Sequence, residues 1–165
     1  MGYTTAAAQT TRGADPRGAH VTDEIVTLDR VVLRSGTATR EEATAEAVGL
    51  LVATGAVTSD YLDAVLQREQ EMSTHMGNGL AVPHGTTAAK DTVLASGLAV
   101  VRYDTDVDWG GAPVRFVVAI AGRGDEHLHM LARIAVLFSD TSTVERLQAA
   151  PTARDLHALL VAAEA

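Results

Sequence analysis

The sequence has no cysteine in its 165 residues. That excludes disulfides, thiolate metal sites, cysteine nucleophiles and thiol redox chemistry. Long apolar runs are missing too. The longest core-like run, Phe116 to Ala121, has the length of a strand and falls far short of the roughly 18 residues of a membrane span. Positive charge is scarce: 13 basic against 21 acidic side chains leave a formal net charge of −8, with no basic run. Nucleic-acid binders gain affinity by neutralising phosphates with Lys and Arg, so this balance argues against a nucleic-acid partner. The N-terminus lacks the apolar stretch of a secretory signal and the Ser or Thr that a myristoylation signal needs at position 6. What is left is the chemistry of histidine, carboxylate and hydroxyl, and the sequence holds six histidines.

The length suits one domain, at about 150 residues per domain, and suffices for a real core. Residues 1–22 are Ala, Thr, Gly and Arg without periodicity, and read as a flexible tail ahead of a domain over 23–165. From Val21 onward, helical and strand patterns alternate. The β-branched runs between Ile25 and Arg34 predict an edge strand in their second half. Thr39-Arg40-Glu41-Glu42 is a capping box, and the helix it opens should run to about Thr54 and stop at Gly55. A second helix, from about Asp60 to Met72, is expected to be capped by Thr58 or Ser59 and to bury Leu62, Val65 and Leu66. Ser73 to Gly79 reads as a loop, and Leu80-Ala81-Val82 as a short strand ended by Pro83. Val93–Tyr103 and Val114–Ala121 read as longer strands joined by a turn through Asp104–Asp108. Helices follow over Glu126–Phe138 and Thr143–Ala149, and a last one opens at Thr152. Helices before, between and after strands predict an α/β fold, a three-layer sandwich with a central mixed sheet.

Three places carry candidate chemistry. In Gly77-Asn78-Gly79-Leu80-Ala81-Val82-Pro83-His84-Gly85, an imidazole sits at a strand end between a rigid Pro and a permissive Gly. Such a loop position suits function, and the same residues would also suit a histidine satisfied by backbone. Gly85 is expected to let the backbone pass close to whatever binds the ring. In Gly122-Arg123-Gly124-Asp125-Glu126-His127-Leu128-His129, helical spacing sets His127 above Leu131, Ile134 and Phe138, at a first turn whose free amides favour an anion. It would equally close off the core there, and His129 points to the polar face. The third place is Gln67-Arg68-Glu69, where Arg68 lies beside Tyr61 and Met72. A metal site fits poorly, because His127 and His129 are two apart on a helix and there is no His-Glu-x-x-His pair. Nor is there a nucleophile elbow or a Walker lysine. Asp104 to Asp108 resembles the start of a calcium loop, but Trp109-Gly110 replaces the later ligands.

Taken in order, Arg68-Glu69, Gly77 to Gly85 and Glu126-His127-Leu128 are recognisable. From about Val31 to Ala163 the chain resembles the EIIA domain of the mannitol/fructose type from the bacterial phosphoenolpyruvate-dependent sugar phosphotransferase system (PTS). The resemblance implies that His84 is the phosphoryl acceptor, through Nε2, taking the group from the phosphohistidine of the small carrier HPr. It would pass it to a cysteine of an EIIB component, and the membrane component EIIC would be involved only indirectly. His127 matches the second active-site histidine, and Arg68 the arginine beside the phosphoryl site. The resemblance also implies a cytoplasmic relay needing neither cofactor nor metal. The lack of cysteine means that the phosphate must leave for another polypeptide or domain. A neutral imidazole, with a reference pKa of about 6.5, is a good nucleophile near neutral pH. One ring nitrogen is expected to be oriented by a backbone carbonyl while the other attacks. Pro83-His84-Gly85-Thr86 with Ala89-Lys90-Asp91 looks mannitol-like, whereas His127 to Ala135 looks closer to fructose-type or nitrogen-regulatory relatives. The alternative is therefore a nitrogen-regulatory EIIA whose phosphorylation state is a signal. A metal-binding or hydrolytic protein is the third reading.

Overall fold

The structure, a computed structural model, describes residues 25–162, so the tail expected over 1–22 lies outside the described residues. Five strands, β1 (Val31–Arg34), β2 (His75–Gly77), β3 (Leu80–Ala81), β4 (Gly97–Trp109) and β5 (Ala112–Ala121), form one sheet in the order β1-β4-β5-β3-β2. The sheet is mixed: β1 runs parallel to β4 and β3 parallel to β5, whereas β4–β5 and β2–β3 are antiparallel. Helices α1 (Arg40–Ala53) and α2 (Tyr61–Glu71) cover one face, and α3 (Glu126–Ser139), α4 (Thr141–Ala149) and α5 (Ala153–Ala162) cover the other. This is the three-layer α/β/α sandwich predicted.

The period-two alternation of β4 and β5 builds the layers. Ala99 and Val101 of β4 and Val117 and Ala119 of β5 point to the α1/α2 side, while Leu98, Val100, Phe116, Val118 and Ile120 point to the α3–α5 side. All nine are buried, and for the larger ones burial contributes about 1.5–3 kcal/mol each. Phe116 and Phe138 meet edge to face at 5.1 Å between ring centroids.

Local signals account for several boundaries. Thr39 accepts the Glu42 amide at 3.1 Å, and Gly55 follows α1 with φ +80°, as the capping box and stop signal require. Thr152 accepts the Asp155 amide at 3.1 Å at the start of α5.

Four local expectations are corrected. Neither Thr58 nor Ser59 caps α2 through its side chain: Asp60 is the N-cap, and Tyr61 N–H bonds the Thr58 carbonyl at 3.1 Å. The buried face of α2 is Tyr61, Val65 and Glu69, and Leu62 and Leu66 are only half-buried. The segment read as a loop contains β2 and a two-residue turn, with Asn78 at φ 53° and Gly79 at φ 77°, a primed hairpin turn that Asn-Gly favours. The residues Asp104–Asp108 are not a turn. They belong to β4, and the chain reverses at Gly110 and Gly111, φ 66° and 97°. Val107 and Trp109 are buried there while Asp104, Asp106 and Asp108 face solvent, so the acids decorate a strand.

Candidate active site

The parallel pair β3 and β5 ends at the site. Past β3, the Pro83 carbonyl accepts Ile120 N–H at 3.0 Å, and His84 forms a parallel bridge with Ile120. Proline has no N–H to give, but its carbonyl still extends the pairing by one step and carries His84 to the carboxyl end of β5. The His84 ring is then fixed by its own neighbour: Nδ1–H donates to the Val82 carbonyl at 2.8 Å. In the neutral ring that leaves the lone pair on Nε2. The carbonyl-oriented imidazole expected from the sequence is present.

Tyr61, at the start of α2, locks this segment from the other side. Its hydroxyl donates to the Ile120 carbonyl at 2.6 Å and accepts Gly85 N–H at 2.8 Å. Burial pushes the phenol above its ordinary pKa, against the opposing effect of the Gly85 amide, so it stays protonated and able to donate. A Cβ on Gly85 would sit 2.6 Å from the Tyr61 ring. The packing of Tyr61 against it is thus enough to require glycine at position 85.

His127 occupies the first turn of α3, one turn above Met130 and Leu131 and two above Ile134, of which Met130 and Ile134 are fully buried. The His84 and His127 ring centroids are 5.6 Å apart, tilted by 42°. Burial, and then the charge of His84, hold His127 below the usual histidine pKa, so its ring is neutral near pH 7. Gly122, just after β5, makes this placement possible. A Cβ there would lie 2.4 Å from the backbone N and Cα of His127, so any side chain would push the α3 start away.

Arg68 enters from the last turn of α2 and donates through one guanidinium nitrogen to the Met72 carbonyl at 2.9 Å, with most of its N–H donors unspent. Arg68, His84 and His127 line one open cleft of 440 Å³, together with Tyr61, Glu71 and Lys90. The three residues proposed from three separate motifs therefore meet. The other described histidines do not join them: His75 lies on β2, His129 is exposed on α3, and His157 of α5 pairs with the Val26 carbonyl at 2.8 Å. Among the described residues no group of three or more His, Asp or Glu side chains is arranged to hold a metal ion. The cleft instead offers a nucleophilic nitrogen, a guanidinium and a second imidazole on its walls, which suits an anionic group in transfer. The first-turn amides of Glu126 and Leu128, expected to be free, are bonded to the Arg123 and Asp125 carbonyls at 3.1 and 3.2 Å.

Tyr61, Gly122 and Lys90 were not singled out by sequence reasoning. Each nevertheless lay in a stretch already noted, Tyr61 beside Arg68, Lys90 in Ala89-Lys90-Asp91 and Gly122 as the first glycine of the Gly-Arg-Gly run before α3.

Residues 24–163 match the model of the family described as phosphoenolpyruvate-dependent sugar phosphotransferase system, EIIA 2. The chain belongs to this EIIA family. Over 136 residues this EIIA is 42% identical to the mannitol-specific phosphotransferase enzyme IIA component of Halalkalibacterium halodurans, covering 82% of this chain and 94% of that protein. The namesake component of Staphylococcus aureus is 42% identical over 142 residues, 86% of this chain and 99% of that protein. Among solved structures, the Escherichia coli mannitol enzyme IIA, in its complex with phosphorylated enzyme IIB, superimposes with a TM-score of 0.74 at 33% identity, covering 81% of this chain and 95% of that one. The mixed sheet between two helical layers is thus the fold of a sugar-phosphotransferase EIIA, and the chain is a component of that relay. Among the described residues, no helix is long and apolar enough to cross a membrane.

Proposed function

We propose that this EIIA is a cytoplasmic phosphocarrier in which His84 accepts a phosphoryl group from the phosphohistidine of HPr and passes it to a cysteine of an EIIB component, for sugar uptake through a membrane EIIC. The observation that carries this reading is the Nδ1–H bond of His84 to Val82 O, 2.8 Å long, which leaves Nε2 as the nucleophile in a cleft shared with Arg68 and His127. In the first step the Nε2 lone pair attacks phosphorus, and the P–N bond of the donor breaks with its electrons returning to the donor imidazole. In the second, a thiolate attacks the same phosphorus and the His84 P–N bond breaks. Each step exchanges one bond to phosphorus for another, and neither calls for a metal or cofactor. Charge on the equatorial oxygens grows during each transfer, and Arg68 meets it with charge-assisted hydrogen bonds. His127 holds another oxygen.

Mannitol is the sugar this reading favours, since the relatives named above carry mannitol in their names. The same names weigh against the alternative, a nitrogen-regulatory EIIA that acts as a phosphorylation-dependent binding protein. The test is incubation with phosphoenolpyruvate, enzyme I and HPr. An acid-labile adduct should form on the parent chain and be absent from His84→Ala. Undiminished labelling of His84→Ala would overturn the assignment.

A further inference from the structure

Glu69 is the buried acid for which the transfer steps have no use. It is 7% exposed, next in sequence to Arg68, on the face of α2 that Tyr61 and Val65 bury in the core. One carboxylate oxygen accepts the Thr74 amide at 3.0 Å and the Trp109 indole N–H at 2.7 Å, and the other accepts the Thr74 hydroxyl. A buried charge is tolerated only when hydrogen bonds replace its water, and three donors do so here. An apolar side chain would complete the α2 stripe without any of this. The carboxylate must therefore earn its place through what it holds.

Two lines of contact lead from Glu69 to the cleft. Along the first, Met72 N–H closes α2 onto the Arg68 carbonyl at 3.2 Å, and the Arg68 guanidinium donates back to Met72 O at 2.9 Å. The turn from Met72 to Thr74 is thus clasped by two consecutive side chains, Arg68 at its start and Glu69 at its end. Along the second, the Thr74 carbonyl accepts Val82 N–H at 3.1 Å, and the Val82 carbonyl accepts His84 Nδ1–H at 2.8 Å. Trp109, at the end of β4, ties the same carboxylate to the sheet.

We propose that Glu69 is a positioning residue for phosphoryl transfer: by anchoring Thr74 it sets both the direction of the Arg68 guanidinium and the carbonyl that selects the His84 tautomer. This rests on His84 being the acceptor. The experiment pairs steady-state transfer from phospho-HPr with the ring-nitrogen NMR signals of His84 in the unphosphorylated full chain. Glu69→Leu should lower kcat roughly 10- to 100-fold, the cost of a small misplacement of reacting groups, with the donor's KM little changed. Its His84 should pass from a single Nδ1–H tautomer to a mixture. Glu69→Gln should restore both, because its amide oxygen accepts from Trp109 and the Thr74 amide while its NH₂ donates to the Thr74 hydroxyl. Thr74→Val removes a single bond from the cluster and should show the same two changes in smaller measure, which keeps the test open if Glu69→Leu does not fold. A folded Glu69→Leu or Thr74→Val chain with parental kcat and an undisturbed His84 tautomer overturns the proposal. Failure of the acceptor assignment would show separately, as a parent chain that takes no label on His84, and the tautomer measurement does not depend on it.

Discussion

The two ends of the β4–β5 ribbon differ in how they hold their polar groups. At one end, where β5 stops at Ala121, the His84 ring is fixed by a bond to the Val82 carbonyl and its segment by the buried Tyr61. His127 stands half-buried beside it at the start of α3. At the other, beside the Gly110–Gly111 turn, Asp104, Asp106 and Asp108 stand in solvent, and Arg115 meets Asp106 through side chains 40% and 56% exposed. Exposed acids gather at the turn, but the cleft proposed for the chemistry is at the opposite end. A site needs groups whose directions are set by neighbours that cannot move, and an exposed ion pair has no such neighbours. Glycine follows the same division. At the turn it supplies positive φ, whereas Gly85 and Gly122 supply room for the Tyr61 ring and the His127 backbone.

Three substitutions sharpen that contrast. The largest effect is expected from Arg68→Gln, which keeps a polar side chain but removes its charge and shortens its reach. Transfer should slow roughly 100-fold with the thermal midpoint little changed, as when a donor acting mainly in the transition state is lost. Equal rates for mutant and parent would remove Arg68 from the mechanism. Tyr61→Phe comes next. It leaves the Ile120 carbonyl and the Gly85 amide without their partner, so denaturant unfolding should report a loss of about 2 kcal/mol, and transfer should slow by less than for Arg68→Gln. Unchanged stability would mean that the hydroxyl does not pin the His84 segment. Arg115→Ala should do least: below about 1 kcal/mol in stability, with transfer at the parental rate. A marked loss of transfer there would erase the distinction between the two ends.

How far these features could be read in advance depended on the range of the interactions behind them. The Thr39 cap and the Gly55 stop were legible because each is settled within a few residues. So was the His84 segment, where Val82, Pro83 and Gly85 act as near neighbours. The hairpin at Asn78-Gly79 was equally local, and its dipeptide is a known turn signal, but β2 and β3 are so short that the flanking alternation gave it no support. The extension of β4 through three aspartates was hidden because that part of the strand has one solvent-facing side, and acids with turn-forming habits occupied it. On α2, Leu62 and Leu66 looked like the inward face by type. Tyr61 and Glu69 took that face because partners distant in sequence, Ile120, Gly85, Thr74 and Trp109, satisfy their polar atoms.

Residue type and local spacing by themselves determined the alternation of helices and strands, the three motifs and the family they announce. The tertiary structure decided which groups meet: Arg68 from α2, His84 past β3 and His127 on α3 come from separate elements, and only the pairing of β3 with β5 and the packing of α2 and α3 over their ends bring them to one cleft. It also decided what holds them. A buried tyrosine hydroxyl, a glycine with no room for a Cβ and a carboxylate with three donors are defined by contacts between segments far apart in the chain, and no local pattern encodes such contacts.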